Sequence, residues 1–97
     1  MENKFDINSF VQTQTINSVT QKLVERVKER RQEAKLSRYI LSHRSGVSFA
    51  SIRRFEETGE ISLKSLLKIA DALGCLDDFN RLFENEIISN LEDYFND

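Results

Sequence analysis

One helix-start signal occurs three times in the middle of the chain and constrains the fold more than any other feature. Each copy has an apolar residue, then a serine, then a second apolar residue four positions after the serine; the serines are Ser37, Ser48 and Ser62. Such a serine accepts hydrogen bonds from free backbone amides, while the two apolar residues pack together as a hydrophobic staple. The signal therefore predicts three helices, each starting directly after its serine.

The rest of the chain also favours helices over strands. It contains no proline, and no run of alternating apolar and polar residues indicates a strand. A weaker copy of the start signal, at Thr20, predicts one more helix before the other three. We expect an all-α fold of five helices: residues 20–34, 38–45, 49–57 and 63–73, and a last helix that Asp77 caps.

The two ends differ in composition from this centre. Residues 1–17 are rich in Asn, Gln, Thr and Ser, and we interpret them as an N-terminal arm. Residues 77–97 place apolar side chains at helical spacing opposite acidic ones, which predicts an amphipathic acidic helix. The central domain would then span residues 18–76. The apolar stripe predicts a dimer or partner interface made of Phe79, Leu82, Phe83, Ile87, Leu91, Tyr94 and Phe95.

Charge is divided unevenly along the chain. The net charge of the whole chain is −2, but residues 22–54 contain ten basic and three acidic residues, a net of +7, so the remainder carries −9. A locally basic surface suits an anionic partner such as nucleic acid, and the acidic remainder is expected to face elsewhere.

Several classes of function are disfavoured. The longest apolar runs are far shorter than the roughly 20 residues of a membrane span, and the first residues do not resemble a signal peptide, so we expect a cytoplasmic protein that binds no membrane. The single cysteine, Cys75, and the single histidine, His43, supply neither a metal cage nor a nucleophile with its base. We therefore predict no catalytic residue, no metal, no cofactor and no enzyme activity.

The helices predicted over 38–45 and 49–57 are joined by a short turn around Gly46, which is typical of a helix-turn-helix. The second helix of such a pair lies in the DNA major groove, where serines can bond base edges and apolar side chains can contact a thymine methyl. Arginines one turn further on can reach guanine or phosphate. The predicted DNA contacts are Ser37, Arg38, Ser48, Phe49, Ala50, Ser51, Arg53, Arg54 and Lys64.

Each of these residues also has a purely structural interpretation. Arg53 can form an ion pair with Glu57 one turn away on a solvated face. Phe49 can pack on the preceding helix or in a dimer contact. The hydroxyls of Ser37 and Ser48 act as helix caps, and a phosphate contact would be a second role.

Residues 23–73 resemble the Cro/C1-type helix-turn-helix family, also called the XRE family. The strings that carry the resemblance are LVERVKERRQEAKLS, YILSHRSGVS, SIRRFEETG and SLLKIADALG. The resemblance implies a Cro/C1 repressor-like domain in which Arg31 and Glu56 form a structural ion pair. The family usually has glutamine at the first position of the second helix, where this chain has Arg38.

Two functions follow from these observations. The first is a regulator that binds a palindromic double-stranded operator as a homodimer and represses its own operon, since a single helix-turn-helix reads only a few base pairs. The second is an antitoxin of a toxin–antitoxin pair, because the stretch ISLKSLLKIADALG and the helix expected after it resemble HipB-type antitoxins, the partners of HipA-like kinases. A protein adaptor that has lost DNA binding is a third possibility, against which the local charge of +7 argues.

Overall fold

The structure is a computed structural model that describes residues 14–86. Its elements are α1 (Ile16–Glu33), α2 (Arg38–Ser45), α3 (Phe49–Thr58), α4 (Leu63–Ala72) and a 3₁₀ helix (Leu76–Arg81). Over residues 14–86 there is no strand, and the prediction of an all-helical fold is confirmed. None of the helices in this range has the length and apolar character needed to cross a membrane.

The three serine caps form as the start signal predicts. Ser37, Ser48 and Ser62 each accept a hydrogen bond, at 3.0 Å, from the backbone amide three residues further along. Helices α2, α3 and α4 therefore begin at the predicted residues. Helix α2 also ends as predicted, whereas α3 runs one residue further and α4 stops one residue earlier.

The predicted start of the first helix is wrong. Helix α1 begins at Ile16, because Thr15 and Ser18 form a reciprocal capping box in which each side chain accepts from the other residue's backbone amide. Thr20 lies inside the helix instead, and its hydroxyl donates to the carbonyl of Ile16 at 2.8 Å. Residues 15–17, which the sequence placed in the arm, are therefore the cap and the first residues of α1. Residues 1–13 of the predicted arm lie outside the described residues.

The hydrophobic core lies where α2, α3 and α4 meet. Leu41, Val47, Ile52 and Ile69 form one buried cluster, and partly buried apolar side chains of α1 and of the linkers pack against it. Two of these four residues, Val47 and Ile52, are the staple pair around Ser48. The start signal thus fixes both where α3 begins and which of its faces points inward.

Over residues 77–86 the predicted C-terminal helix is present only as the short 3₁₀ helix Leu76–Arg81 and not as a longer α-helix. The 3₁₀ helix has no side-chain cap, and Asp77 instead accepts from the side chain of Asn80. Leu82 has extended backbone angles and Phe83 has a φ of 61°, so the α-helical hydrogen-bond pattern does not continue through them. The remaining predicted interface residues, Ile87, Leu91, Tyr94 and Phe95, lie outside the described residues.

Replacing Gly59 with alanine should destabilise the domain more than replacing Gly46 with alanine. Both glycines have positive φ values, 84° and 79°, so both alanines are strained by about 1–2 kcal/mol. Only at Gly59 would the new methyl group collide with a side chain, the γ-methyl of Thr20 on α1. Chemical denaturation of both variants measures the difference. Adding Thr20→Ser to Gly59→Ala should recover the part caused by the collision, and a Gly59→Ala variant as stable as Gly46→Ala would contradict this packing.

Candidate nucleic-acid interface

Helices α2 and α3 are joined by a tight turn of three residues, Gly46, Val47 and Ser48. Gly46 ends α2 in the left-handed conformation, and its amide donates to the carbonyl of Ser42 at 2.9 Å. Val47 is buried at 4% exposure, which anchors the middle of the turn in the core. Ser48 then caps α3. The turn therefore holds the start of α3 in a fixed orientation relative to α2.

The first turn of α3 lies at the surface and carries no charge. Phe49 is 39% exposed and Ala50 is also exposed. Ser48 accepts from the amide of Ser51 and donates from its hydroxyl to the hydroxyl of Ser51 at 2.9 Å. This end of the helix therefore offers small, hydroxyl and aromatic groups, a chemistry that suits base edges and thymine methyl groups.

The aromatic ring of Phe49 contacts α2, as its structural interpretation allows. Its centroid lies 6.3 Å from that of Tyr39, and Tyr39 in turn lies 6.2 Å from the ring of His43, both with edge-on geometry. Tyr39 is 66% exposed. The contact orients Phe49 without burying it, so packing on α2 and contact with DNA are compatible.

The basic side chains at this surface are exposed but carry acidic partners. The Nε of Arg53 lies 3.3 Å from Glu57, and Arg54 lies 2.6 Å from Glu60, with all four side chains more than half exposed. Exposed ion pairs of this kind contribute about 0–1 kcal/mol, so a phosphate can replace the carboxylate at little cost. Lys64, in the first turn of α4, is exposed as well.

Glu56 accepts hydrogen bonds from two arginines of two other helices. Arg31 of α1 donates from Nε at 2.8 Å and from Nη2 at 3.1 Å, one to each carboxylate oxygen. Arg38 of α2 donates from Nε to Oε1 at 2.8 Å. The Glu56 side chain is only 2% exposed. The pair of Arg31 and Glu56 that the family resemblance implies is thus present, and Arg38 joins it.

Residues 27–78 match the profile of the helix-turn-helix family. The chain belongs to the Cro/C1-type helix-turn-helix family. It is a DNA-binding transcription regulator, with the helix-turn-helix formed by α2, the Gly46 turn and α3. Neither the curated proteins nor the solved structures contain a match to the chain.

The ionisation of Glu56 follows from its position in the helix-turn-helix domain. Burial alone would raise the pKa of this carboxyl group, but the hydrogen bonds and charges of Arg31 and Arg38 outweigh burial and lower the pKa below its ordinary value. The carboxylate therefore stays ionised in the folded domain at any pH at which a free glutamate would be ionised.

Sequence reasoning missed two features of the helix-turn-helix domain, the hydrogen bond from Arg38 to Glu56 and the ion pair of Arg54 with Glu60. Arg38 and Glu56 are 18 residues apart on different helices, so no helical spacing relates them. Arg54 and Glu60 are six residues apart across the end of α3, where helical spacing no longer applies. A search for opposite charges at the helix ends would have been the only available signal.

Proposed function

We propose that the protein binds a specific double-stranded operator through the first two turns of α3 and represses its own operon as a homodimer. The observation that carries this proposal is the surface of α3: an uncharged, hydroxyl-bearing first turn followed by two exposed arginines. In this assignment Ser48, Phe49, Ala50 and Ser51 face base edges. Arg53 and Arg54 bind guanine or phosphate, and Ser37, Arg38 and Lys64 contact the DNA backbone.

Replacing Arg53 and Arg54 together with alanine should abolish tight operator binding. Each lost contact of this kind costs about 1–3 kcal/mol, so the double variant should bind on the order of 30-fold more weakly or worse. Binding is measured on DNA from upstream of the gene, and on a site selected from a random duplex pool, at two salt concentrations. The wild-type affinity should fall steeply with salt.

The matched control is the double variant Lys22→Ala, Lys28→Ala. These two lysines lie on α1, and neither is among the residues assigned to DNA or among those that line the apolar groove described below. The control removes the same charge and should retain most of the operator affinity. Equal losses in the two double variants would mean that only net charge matters, and would contradict recognition by α3.

Homodimerisation is supported by an apolar groove away from α3. Helices α1 and α4 and the 3₁₀ helix line this groove, which has a volume of about 290 Å³. Phe79 and Leu82 of the predicted interface are among its lining residues, and the neighbouring Phe83 is fully exposed. An apolar concavity beside exposed apolar side chains is typical of an association surface.

Replacing Leu82 with glutamate should therefore shift the protein from dimer to monomer and weaken operator binding. Sedimentation equilibrium measures the mass, and the control is Ile16→Glu, which places the same charge at a residue 89% exposed that does not line the groove. A Leu82→Glu protein that remains a dimer would show that the interface lies elsewhere.

The same groove also suits the second function, an antitoxin that binds a HipA-like toxin and regulates their shared operon. Removal of residues 84–97 separates the two functions. If the truncated protein loses only its dimerisation, the repressor is favoured. If it stays dimeric on DNA but no longer captures or neutralises a kinase encoded beside it, the antitoxin is favoured.

A further inference from the structure

The cluster of Arg31, Arg38 and Glu56 holds two positive charges and one negative charge. Of its three side chains, Arg38 is the most exposed to solvent: it is 34% exposed, whereas Arg31 and Glu56 are 9% and 2% exposed. Charge that is not neutralised inside a protein is stabilised where it meets solvent or an anion. The cluster therefore presents its net charge at the first residue of α2.

Arg38 is not needed to satisfy the Glu56 carboxylate. Arg31 alone donates to both oxygens of that carboxylate, from Nε and Nη2. Its third nitrogen, Nη1, donates to the carbonyl of Leu36 at 2.9 Å. Arg38 adds a further hydrogen bond to Oε1, which is already bonded. Neutralising Glu56 therefore does not explain why an arginine lies at position 38.

The donors of Arg38 are divided between the two sides of its guanidinium group. Nε is bonded to Glu56, while the terminal amino groups donate to no other group within residues 14–86. Two terminal amino groups of one planar guanidinium can bind two oxygens of one phosphate. The first helix of a helix-turn-helix crosses the DNA backbone, so the N-terminus of α2 is well placed for such a contact.

We propose that Glu56 is a positioning residue for DNA binding: it holds Arg38 through Nε so that the terminal amino groups bind one backbone phosphate. This inference rests on the proposed function and extends it. Glu56 belongs to α3, the helix that is proposed to contact the bases. Its carboxylate therefore links the phosphate contact at Arg38 to α3. A phosphate bound at Arg38 thereby sets the orientation of α3 against the bases.

Two variants of the full chain, Arg38→Gln and Arg38→Lys, separate the charge from its positioning. Glutamine removes the charge, so the slope of log affinity against log salt should fall by about one phosphate contact, roughly 0.9. Lysine keeps the charge but has all its donors on one atom and no Nε. Its salt slope should match the wild type, while its affinity for the selected operator falls several-fold and falls more than its affinity for a random duplex.

Arg44→Gln and Arg44→Lys are the matched controls, since Arg44 is an exposed arginine at the other end of α2 that neither lines the apolar groove nor is assigned to DNA. Both should keep the wild-type salt slope and affinity, and thermal unfolding checks that every variant is folded at the assay temperature. An unchanged slope in Arg38→Gln would overturn the phosphate contact. Wild-type affinity in Arg38→Lys would overturn the positioning by Glu56. A wild-type protein that binds neither duplex would instead overturn the proposed function itself.

Discussion

Glu56→Ala should lower the free energy of unfolding by about 3–5 kcal/mol, the usual cost of removing one partner from a buried ion pair. The cost arises because Arg31, 8% exposed as a residue, would keep its charge but lose two hydrogen bonds. A small domain has roughly 5–15 kcal/mol of stability in total. Urea denaturation followed by circular dichroism should show a large shift of the transition midpoint.

The control for this prediction is Glu57→Ala, one residue further along α3. Glu57 also pairs with an arginine, but both side chains are 57% exposed, so its loss should change stability by no more than about 0.5 kcal/mol. Similar losses in the two variants would show that the Glu56 cluster is no more than a surface ion pair.

The pH dependence of stability supplies a second test of the same cluster. Because the pKa of Glu56 is lowered in the folded state, its stabilisation is fully present above the unfolded pKa of about 4.3. It is lost as the pH falls from there through the folded pKa. The stability difference between wild type and Glu56→Gln should therefore be large at neutral pH and shrink as the pH is lowered below about 4.

Phe55→Ala should cost about 3–5 kcal/mol, the range for removing a buried aromatic side chain. Phe55 is 1% exposed and is the largest of the fully buried side chains, and it lies on α3, the helix that carries the proposed DNA contacts Arg53 and Arg54. Thermal unfolding should show a much lower midpoint, and operator binding should fail at temperatures where the wild type still binds.

Phe49→Ala, on the same helix, is the matched comparison. Phe49 is 39% exposed, and its ring makes an edge-on contact with the exposed ring of Tyr39, so its loss should cost far less stability. Its operator affinity should fall all the same, because Phe49 is proposed to face the bases. If Phe49→Ala destabilised the domain as strongly as Phe55→Ala, the aromatic ring would have to be a core residue rather than a reading residue.

The helix starts were predictable because each depends on residues close together in the chain. A serine cap and its staple lie within six residues, so Ser37, Ser48 and Ser62 could be recognised by inspection and the structure places all three at their helices. The first helix was misplaced because Thr15 and Ser18 cap it without a typical glutamate at the third position. Thr20 carries the more familiar pattern but lies within the helix.

In the C-terminal segment, the helical spacing of apolar residues did not predict the structure correctly. Apolar residues at helical spacing predicted an α-helix from Asp78 onward, yet the structure has a short 3₁₀ helix and then a turn through Phe83. Periodicity records which side chains would share a face if a helix formed; it does not supply the cap or the packing that makes a helix form. Asp77, the expected cap, bonds Asn80 instead.

The sequence by itself determined the helical class, the starts of α2, α3 and α4, and the family, because capping, staple pairs and the glycine turn act over a few neighbouring residues. Only the tertiary structure decided that Arg31, Arg38 and Glu56 share one buried cluster. These residues come from three helices, and their contact depends on how the helices pack around the core rather than on any spacing along the chain. Long-range electrostatic contacts of this kind are fixed by packing, whereas helix boundaries are fixed mainly by local hydrogen bonds.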